Sequence, residues 1–185
     1  DAVIYGKPNI IIHAAATKFV DISEKFPFEC SDVNILGSTN VARVSIERKV
    51  ETVIGISTDK ATQPIKNFYG FSKATMEKLF LNANSNSNTN FLCVRYGNVA
   101  WSTGSVLPLL QSKKFSGKIL CADMKSCKLI EIIKIWIKAY GGSYKIVKGR
   151  KGDRIDEYLI GNNELKYTTK IVKNKKIFYL IDFEK

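Results

Sequence analysis

The sequence has no long hydrophobic run and few of the residues that build metal sites. None of its apolar segments approaches the roughly 18 residues of a membrane-spanning helix, and Asp1 does not begin a basic and then apolar leader. His13 is the single histidine, and the four cysteines include no C-x-x-C pair, so a zinc site would lack its ligands. We therefore expect a cytoplasmic protein with no membrane partner, no metal, and reduced cysteines in its core.

Acidic residues are also scarce relative to basic ones. The chain has 29 Lys and Arg against 17 Asp and Glu in 185 residues, a net charge of +12. Such a charge favours polyanionic partners, nucleic acids included. The basic residues are dispersed, however, apart from clusters at 148–154 and 170–176, and no nucleic-acid-binding motif accompanies them. We expect no nucleic-acid partner, because a substrate bearing a diphosphate would use the same charges.

Short apolar runs alternate with segments of helical periodicity. The runs Asn9–Ala16, Thr52–Ser57 and Phe91–Tyr96 are typical of strands that are buried on both faces of a parallel sheet. Apolar residues recur at helical spacing in Phe28–Arg48 and in Tyr69–Asn82. Alternating strands and helices at this spacing predict an α/β fold built on a parallel, right-handed sheet.

The last third of the chain predicts a smaller unit. Cys127–Tyr140 has the pattern of an amphipathic packing helix that stops at Gly141, and we expect its aromatic side chains in the core. Ile177–Ile181 predicts a final strand. The length suits one domain plus a small lobe, and we place them at 1–118 and 119–185.

Tyr69 and Lys73 are the strongest candidates for chemistry. They stand four residues apart in a predicted helix and therefore on one face, and Ser57 and Thr58 end a strand that can present hydroxyls beside them. A phenol with a pKa of about 10 is a poor base at neutral pH, but a nearby positive charge favours the phenolate and lowers that pKa. The pattern predicts a proton-transfer site, although the same spacing also occurs on solvated helices.

Five motifs in a fixed order indicate a family. They are H-A-A-A-T-K from His13, D-V-N-I-L-G-S-T-N-V from Asp32, I-S-T-D-K-A from Ile56, Y-G-F-S-K-A-T-M-E-K-L-F from Tyr69 and V-R-Y-G-N-V from Val94. With them the chain resembles extended short-chain dehydrogenases/reductases of the polysaccharide-biosynthesis type, in particular inverting UDP-N-acetylglucosamine 4,6-dehydratases. The resemblance covers about Ile11–Pro108 and, more loosely, Met124–Gly161. The S-T-D-K-A element followed by Y-x-x-x-K is its specific part.

The resemblance implies a Rossmann-type sheet followed by a small substrate-binding lobe, with NAD or NADP as cofactor. It implies dehydration of UDP-N-acetylglucosamine to a 4-keto-6-deoxy sugar nucleotide for surface glycans, by a homo-oligomeric enzyme. Tyr69 would take the proton of the C4 hydroxyl, and Lys73 would hold the nicotinamide ribose. Lys60 would be the base at C5, and Asp59 would be the acid that assists loss of the C6 oxygen.

The resemblance also implies binding residues. Those expected at the cofactor, besides Tyr69 and Lys73, are Ala14, Ala15, Ala16, Asn34, Ser57, Tyr96, Gly97, Asn98 and Val99. Those expected at the substrate are Lys18, Thr58, Asn98, Ser105, Val106, Arg150 and Glu157, of which Arg150 would contact phosphate and Glu157 the ribose. His13 is expected to be a core or groove residue rather than a ligand or a base.

The chain departs from the family pattern at several places. It has no G-x-x-G-x-x-G turn, which normally seats the dinucleotide pyrophosphate, so we expect weak cofactor binding. The family's T-R-F-W region is absent between Lys118 and Met124, the loop from Lys60 to Tyr69 is one residue longer, and Trp101 replaces a glycine. Two alternatives stay open: a nucleotide-sugar 4-epimerase, which has no use for the acid and base of S-T-D-K-A, and an inactive fragment.

Overall fold

The computed structural model describes residues 2–97, 117–146, 156–173 and 175–183. These residues form a six-stranded sheet in the order β1-β2-β3-β4-β6-β5. The strands are β1 (Ile10–His13), β2 (Thr52–Thr58), β3 (Asn90–Tyr96), β4 (Ile119–Ala122), β5 (Thr168–Lys173) and β6 (Lys176–Ile181). The α/β architecture expected from the sequence is confirmed.

The first four strands are parallel and form the centre of the molecule. Strands β2 and β3 pair along their whole length, from Thr52 opposite Asn90 to Thr58 opposite Tyr96. Both faces of these strands are buried, as their continuous apolar runs predict. Strand β1 differs from the expectation, because Ile10 and Ile12 are 43% and 50% exposed. These two residues share one face of β1, which is open, whereas Ile11 and His13 on the other face are half-buried and buried.

The sheet is mixed rather than parallel throughout. Strand β6 pairs antiparallel with β4, and β5 pairs antiparallel with β6. The predicted final strand is therefore confirmed as β6, which runs opposite to β1–β4, whereas β5 runs in the same direction as those four strands. The division into 1–118 and 119–185 stays a prediction. Strand β4, the first element after that division, pairs in parallel with β3.

Helices connect and cover the strands. They are α1 (Ala2–Gly6), α2 (Val20–Lys25), α3 (Pro27–Cys30), α4 (Gly37–Glu47), α5 (Phe68–Ser85) and α6 (Leu129–Tyr140). Helices α3 and α4 are joined by a π-helical segment, Ser31–Leu36, so the predicted helix over Phe28–Arg48 is continuous but contains a wide turn. Met76 and Phe80 of α5 are fully buried and pack against Val53 and Phe91 of the sheet, which fixes α5 across β2 and β3.

Helix α6 corrects a prediction. Its limits and its stop at Gly141, where φ is 78°, agree with the sequence pattern. None of its residues is buried, however, and Trp136 and Tyr140 are 59% and 74% exposed. Their rings pack on each other, with centroids 4.6 Å apart, instead of entering the core. Periodicity predicts a helix with an apolar side, but it does not say which element covers that side.

Within the part of the chain that the structure describes, no helix is both long enough and apolar enough to cross a bilayer. Cys30, Cys93 and Cys121 are buried free thiols, as expected, whereas Cys127 is exposed. The expectation of a core position was therefore wrong for Cys127. It lies just before α6, in a stretch where every residue from 123 to 129 is exposed.

Candidate functional site

The candidate residues gather where β2 and β3 end. Thr58 is the last residue of β2, and a single 3-10 turn, Asp59–Ala61, follows it. Tyr96 ends β3 beside it in the register of the sheet, and Gly97 comes next. In open α/β sheets the ligand lies outside the carboxyl ends of the strands. The chain therefore brings its S-T-D-K-A motif to the edge where such a ligand binds.

Asp59 and Lys60 form a tight polar group in this turn. The Lys60 Nζ lies 3.3 Å from Asp59 Oδ1 and 2.6 Å from Glu157 Oε1. The Thr58 hydroxyl donates to Asp59 Oδ1 over 2.8 Å. Asp59 is only 4% exposed. These groups are thus a largely desolvated cluster rather than an ion pair on a solvated loop, so their interactions are stronger than at the surface.

Tyr69 lies in the first turn of α5 and is half-buried. Burial raises its pKa to about 12, and the Asp59 carboxylate adds to this rise, while the Thr58 side chain offsets part of it. The sequence predicted the opposite direction, because it placed a lysine charge beside the phenol. Burial and the Asp59 charge set this direction instead. Tyr69 is therefore a protonated phenol close to Asp59.

Lys73 follows Tyr69 by four residues, on the same face of α5, but its amine is deep. It is 2% exposed, and its Nζ donates to the sulfur of Met76 over 3.3 Å. Burial lowers its pKa, and the neighbouring Cys93 and Glu77 oppose that shift. A thioether is a weak acceptor for an ammonium group. The Lys73 amine thus suits a ligand that brings better acceptors, such as the hydroxyls of a ribose.

The start of α5 is pressed onto the Asp59–Ala61 turn. The Asn67 side chain caps the helix by accepting from the Gly70 backbone N–H over 2.7 Å. A Cβ at Gly70 would lie 2.1 Å from the Lys60 carbonyl oxygen, so only glycine permits this approach. Because Tyr69 precedes Gly70, the contact fixes the phenol relative to Asp59 and Lys60. The longer loop between Lys60 and Tyr69 does not separate the two elements.

Asn34 connects the loop after β1 to the same helix. It is fully buried; its side chain accepts from the Thr17 backbone N–H over 2.9 Å and donates to Ser72 Oγ over 2.9 Å. The π-helical segment includes Asn34, and such segments are frequent at functional sites. In the sequence, Asn34 and Gly37 interrupt the apolar helical pattern of Phe28–Arg48, and this interruption is the available signal for the wide turn.

His13 is a satisfied core residue, as predicted. Its Nε2 lies 2.9 Å from Ser38 Oγ, and the residue is 6% exposed. Burial, together with the charge of Lys73, lowers the pKa of His13 to about 4. The imidazole is therefore neutral at physiological pH.

A buried ionic network, which the sequence analysis missed, lies beneath the site. Arg95 donates from Nε and Nη2 to the two oxygens of Glu77, each over 2.6 Å, and from Nη1 to Glu164 over 2.8 Å. Ser57 donates to Glu77 over 2.6 Å, so its hydroxyl already has a partner. The pairing with two carboxylates raises the pKa of Arg95. An arginine in the otherwise apolar run F-L-C-V-R-Y was the available signal, since a buried charge requires a partner.

The remaining predicted binding residues lie at the same edge or beyond the described structure. Ala14 and Ala15 are exposed and Ala16 is half-buried in the loop after β1, where small side chains leave the backbone accessible. Lys18 is exposed in that loop, with its Nζ 5.4 Å from the ring centre of Phe19. Five of the predicted binding residues lie outside the described ranges, namely Asn98, Val99, Ser105, Val106 and Arg150.

A cleft of about 910 Å³ lies elsewhere on α5. Ala74, Thr75 and Lys78 line it, together with the segment 162–167, whereas Tyr69 and Lys73 are not among its lining residues. These positions lie on the side of the helix opposite Tyr69. The cleft therefore does not mark the position of Tyr69 and Lys73, which are candidates because of their chemical groups.

Comparison with curated proteins agrees with the motifs. The chain is 38% identical to a UDP-N-acetylglucosamine 4,6-dehydratase (inverting) of Campylobacter jejuni over 139 residues, 72% of this chain and 40% of the relative. It is 40% identical to a UDP-glucose 4-epimerase of Rickettsia canadensis over 161 residues, 83% of this chain and 45% of the relative. The chain thus spans less than half the length of these relatives.

Solved structures show the same fold. Pen from Bacillus thuringiensis superposes with a TM-score of 0.76 at 27% identity, over 94% of this chain and 66% of that one. The dTDP-4-dehydrorhamnose reductase of Bacillus anthracis, solved in complex with NADP, superposes with a TM-score of 0.67 at 19% identity, over 86% and 72%. The family model described as "Polysaccharide biosynthesis protein" matches residues 2–119. The resemblance found in the motifs is confirmed, and the chain belongs to this polysaccharide biosynthesis protein family.

Proposed function

We propose that this chain takes part in NAD(P)-dependent dehydration of a UDP-N-acetylhexosamine, UDP-N-acetylglucosamine in particular, to the 4-keto-6-deoxy sugar nucleotide. The observation that supports it is the pairing of Asp59 and Lys60, 3.3 Å apart, on a turn pressed against the helix of Tyr69. Oxidation at one carbon needs a single proton acceptor, whereas elimination of water needs an additional acid and base. The turn provides both beside the phenol.

Each residue has a defined task in this scheme. Tyr69 accepts the proton of the C4 hydroxyl. Lys60 passes a proton to the adjacent Asp59 and, as a neutral amine, removes the proton at C5, while Asp59 gives the proton it has gained to the departing C6 oxygen. A nicotinamide dinucleotide supplies the acceptor and donor of hydride. Since Tyr69 starts as a protonated phenol next to Asp59, the site has to move that proton before Tyr69 acts as a base.

The residues that would hold the cofactor fit its polar groups. The buried amine of Lys73, which donates to a sulfur, is suited to ribose hydroxyls. The exposed backbone after β1, at Ala14 and Ala15, is held in place by the Asn34 contacts with Thr17 and offers a surface without bulky side chains. The chain would use NAD or NADP, and a homo-oligomer stays our expectation.

A 4-epimerase is the second candidate, and the similarity to the Rickettsia epimerase favours it. Epimerisation uses the phenol and the Lys73 amine, but it gives no task to the acid and base of the turn. The two reactions differ in their products, because only dehydration removes water and exchanges the C5 proton with solvent.

The test is incubation of the chain with NAD+ or NADP+ and UDP-N-acetylglucosamine in deuterated water, followed by mass spectrometry. We expect a product that has lost water and gained deuterium at C5. Lys60→Ala should abolish the deuterium incorporation, whereas Lys66→Ala, which removes an exposed lysine of the following loop, should leave it unchanged. UDP-N-acetylgalactosamine as the sole product would support the epimerase, and cofactor binding without any turnover would support a binding remnant.

A further inference from the structure

Glu157 lies at the amine of Lys60. Its Oε1 is 2.6 Å from Lys60 Nζ, closer than the 3.3 Å that separates this amine from Asp59. The side chains of Lys60 and Glu157 are 15% and 22% exposed, so water reaches this ion pair only in part. The resemblance to the dehydratases had assigned Glu157 to the ribose of the substrate, and the structure gives its carboxylate a different partner.

The segment that follows Glu157 is anchored to the Asp59–Ala61 turn and to the sheet. Thr62, directly after that turn, donates from Oγ1 to the Tyr158 carbonyl over 2.6 Å. The buried Arg95 donates to the Leu159 carbonyl over 3.2 Å and to Glu164 over 2.8 Å. Because these anchors are buried, the main chain next to Glu157 has a fixed place beside Lys60. The packing of the main chain therefore places the Glu157 carboxylate beside the Lys60 amine.

The chemistry of the pair bears on the proposed base. A lysine accepts a proton only as a neutral amine, whereas a salt bridge is made by the ammonium form. Two carboxylates, those of Asp59 and Glu157, contact this ammonium. Catalysis by Lys60 therefore requires that the amine loses a proton, which both carboxylates oppose.

We propose that Glu157 is a positioning residue for Lys60, whose carboxylate holds the amine in a resting ion pair that opens before Lys60 serves as the base. The proposal rests on the proposed function for the role of Lys60 in catalysis. The ion pair between Glu157 and Lys60 can be measured without cofactor or substrate, and therefore separately from turnover.

Competitive acetylation with trace acetic anhydride tests this ion pair, because only neutral amines react. The labelling of each lysine is quantified by mass spectrometry. In Glu157→Gln the labelling of Lys60 at neutral pH should rise about threefold to tenfold relative to the other lysines, the scale of a partly screened ion pair. Glu157→Asp keeps the charge but withdraws it from the amine, and it should give labelling between that of the original chain and that of Glu157→Gln.

Glu47→Gln is the matched control, since it removes a carboxylate that pairs with the exposed Arg48. It should leave Lys60 labelling unchanged. Equal labelling of Lys60 in the original chain and in Glu157→Gln would overturn the proposal, as would a rise of all lysines together, which would indicate a loosened fold. A selective rise in a chain that shows no dehydration would support the ion pair and count against the proposed function.

Discussion

Replacing Gly70 by alanine should separate the two halves of the candidate site. The added Cβ would lie 2.1 Å from the Lys60 carbonyl oxygen and 2.9 Å from its carbonyl carbon, and both are backbone atoms that cannot rotate away. Real Cβ atoms do not approach closer than 3.0 Å, so the helix has to move from the turn by at least 0.9 Å, the difference between 3.0 and 2.1 Å. Such overpacking costs about 1–3 kcal/mol.

The same change at Gly37 provides a matched control. Gly37 is also helical, with φ of −56°, and a Cβ there would meet its nearest atom, the Asp32 carbonyl oxygen, at an ordinary 3.6 Å. Alanine reduces the entropy cost of helix formation by about 0.5–1 kcal/mol relative to glycine. Gly37→Ala should therefore stabilise the protein, whereas in Gly70→Ala this gain offsets only part of the steric cost.

Urea denaturation followed by circular dichroism measures both effects. We expect the free energy of unfolding to fall by about 1–2 kcal/mol in Gly70→Ala and to rise by about 0.5–1 kcal/mol in Gly37→Ala, with unchanged denaturant slopes. Any turnover should fall about a hundredfold in Gly70→Ala, because it displaces Tyr69 by almost 1 Å from Lys60. Equal stability of the two variants would refute the close contact between α5 and the turn.

Further predictions concern the core. Arg95→Met should lower the free energy of unfolding by about 3–5 kcal/mol, measured by urea denaturation, because it leaves two buried carboxylates unpaired. The pKa of His13 is about 4 in the folded protein and 6.5 in the unfolded chain, so the unfolded chain binds a proton first as the pH falls. The free energy of unfolding should therefore decrease by about 3 kcal/mol between pH 6.5 and pH 4. His13→Asn should flatten that part of the profile of stability against pH. A thiol reagent should modify Cys127 quickly and the three buried cysteines only on unfolding.

The sequence predicted much of the fold because local patterns determine it. Buried parallel strands read as continuous apolar runs, and α5 has both the right spacing and a good cap in Asn67. The exposed side of α6 and the antiparallel pairing of β6 depend on which elements meet in space, which periodicity does not specify. The wide turn at Asn34 was visible only as an interruption of the helical pattern.

The site was predicted as a set of residues but not as a set of contacts. The spacing of Tyr69 and Lys73 indicated a common face, yet the depth of the Lys73 amine follows from how α5 packs on the sheet. The pairing of Lys60 with Glu157 joins residues that are far apart in the chain, and no local signal marks it. The direction of the Tyr69 pKa depended on burial, a quantity that belongs to the folded protein.

Because Ser31–Leu36 is π-helical, the insertion or deletion of a single residue in this segment should disturb the structure. A π turn holds one residue more than an α turn. Deleting one residue there would narrow the wide turn to an ordinary α turn, which would leave the helices on either side nearly in phase but move the side chains within the segment. Asn34 could then no longer reach both Thr17 and Ser72, so the loop after β1 would lose its tie to α5. Substitutions in this helix should be tolerated far more readily than changes in its length.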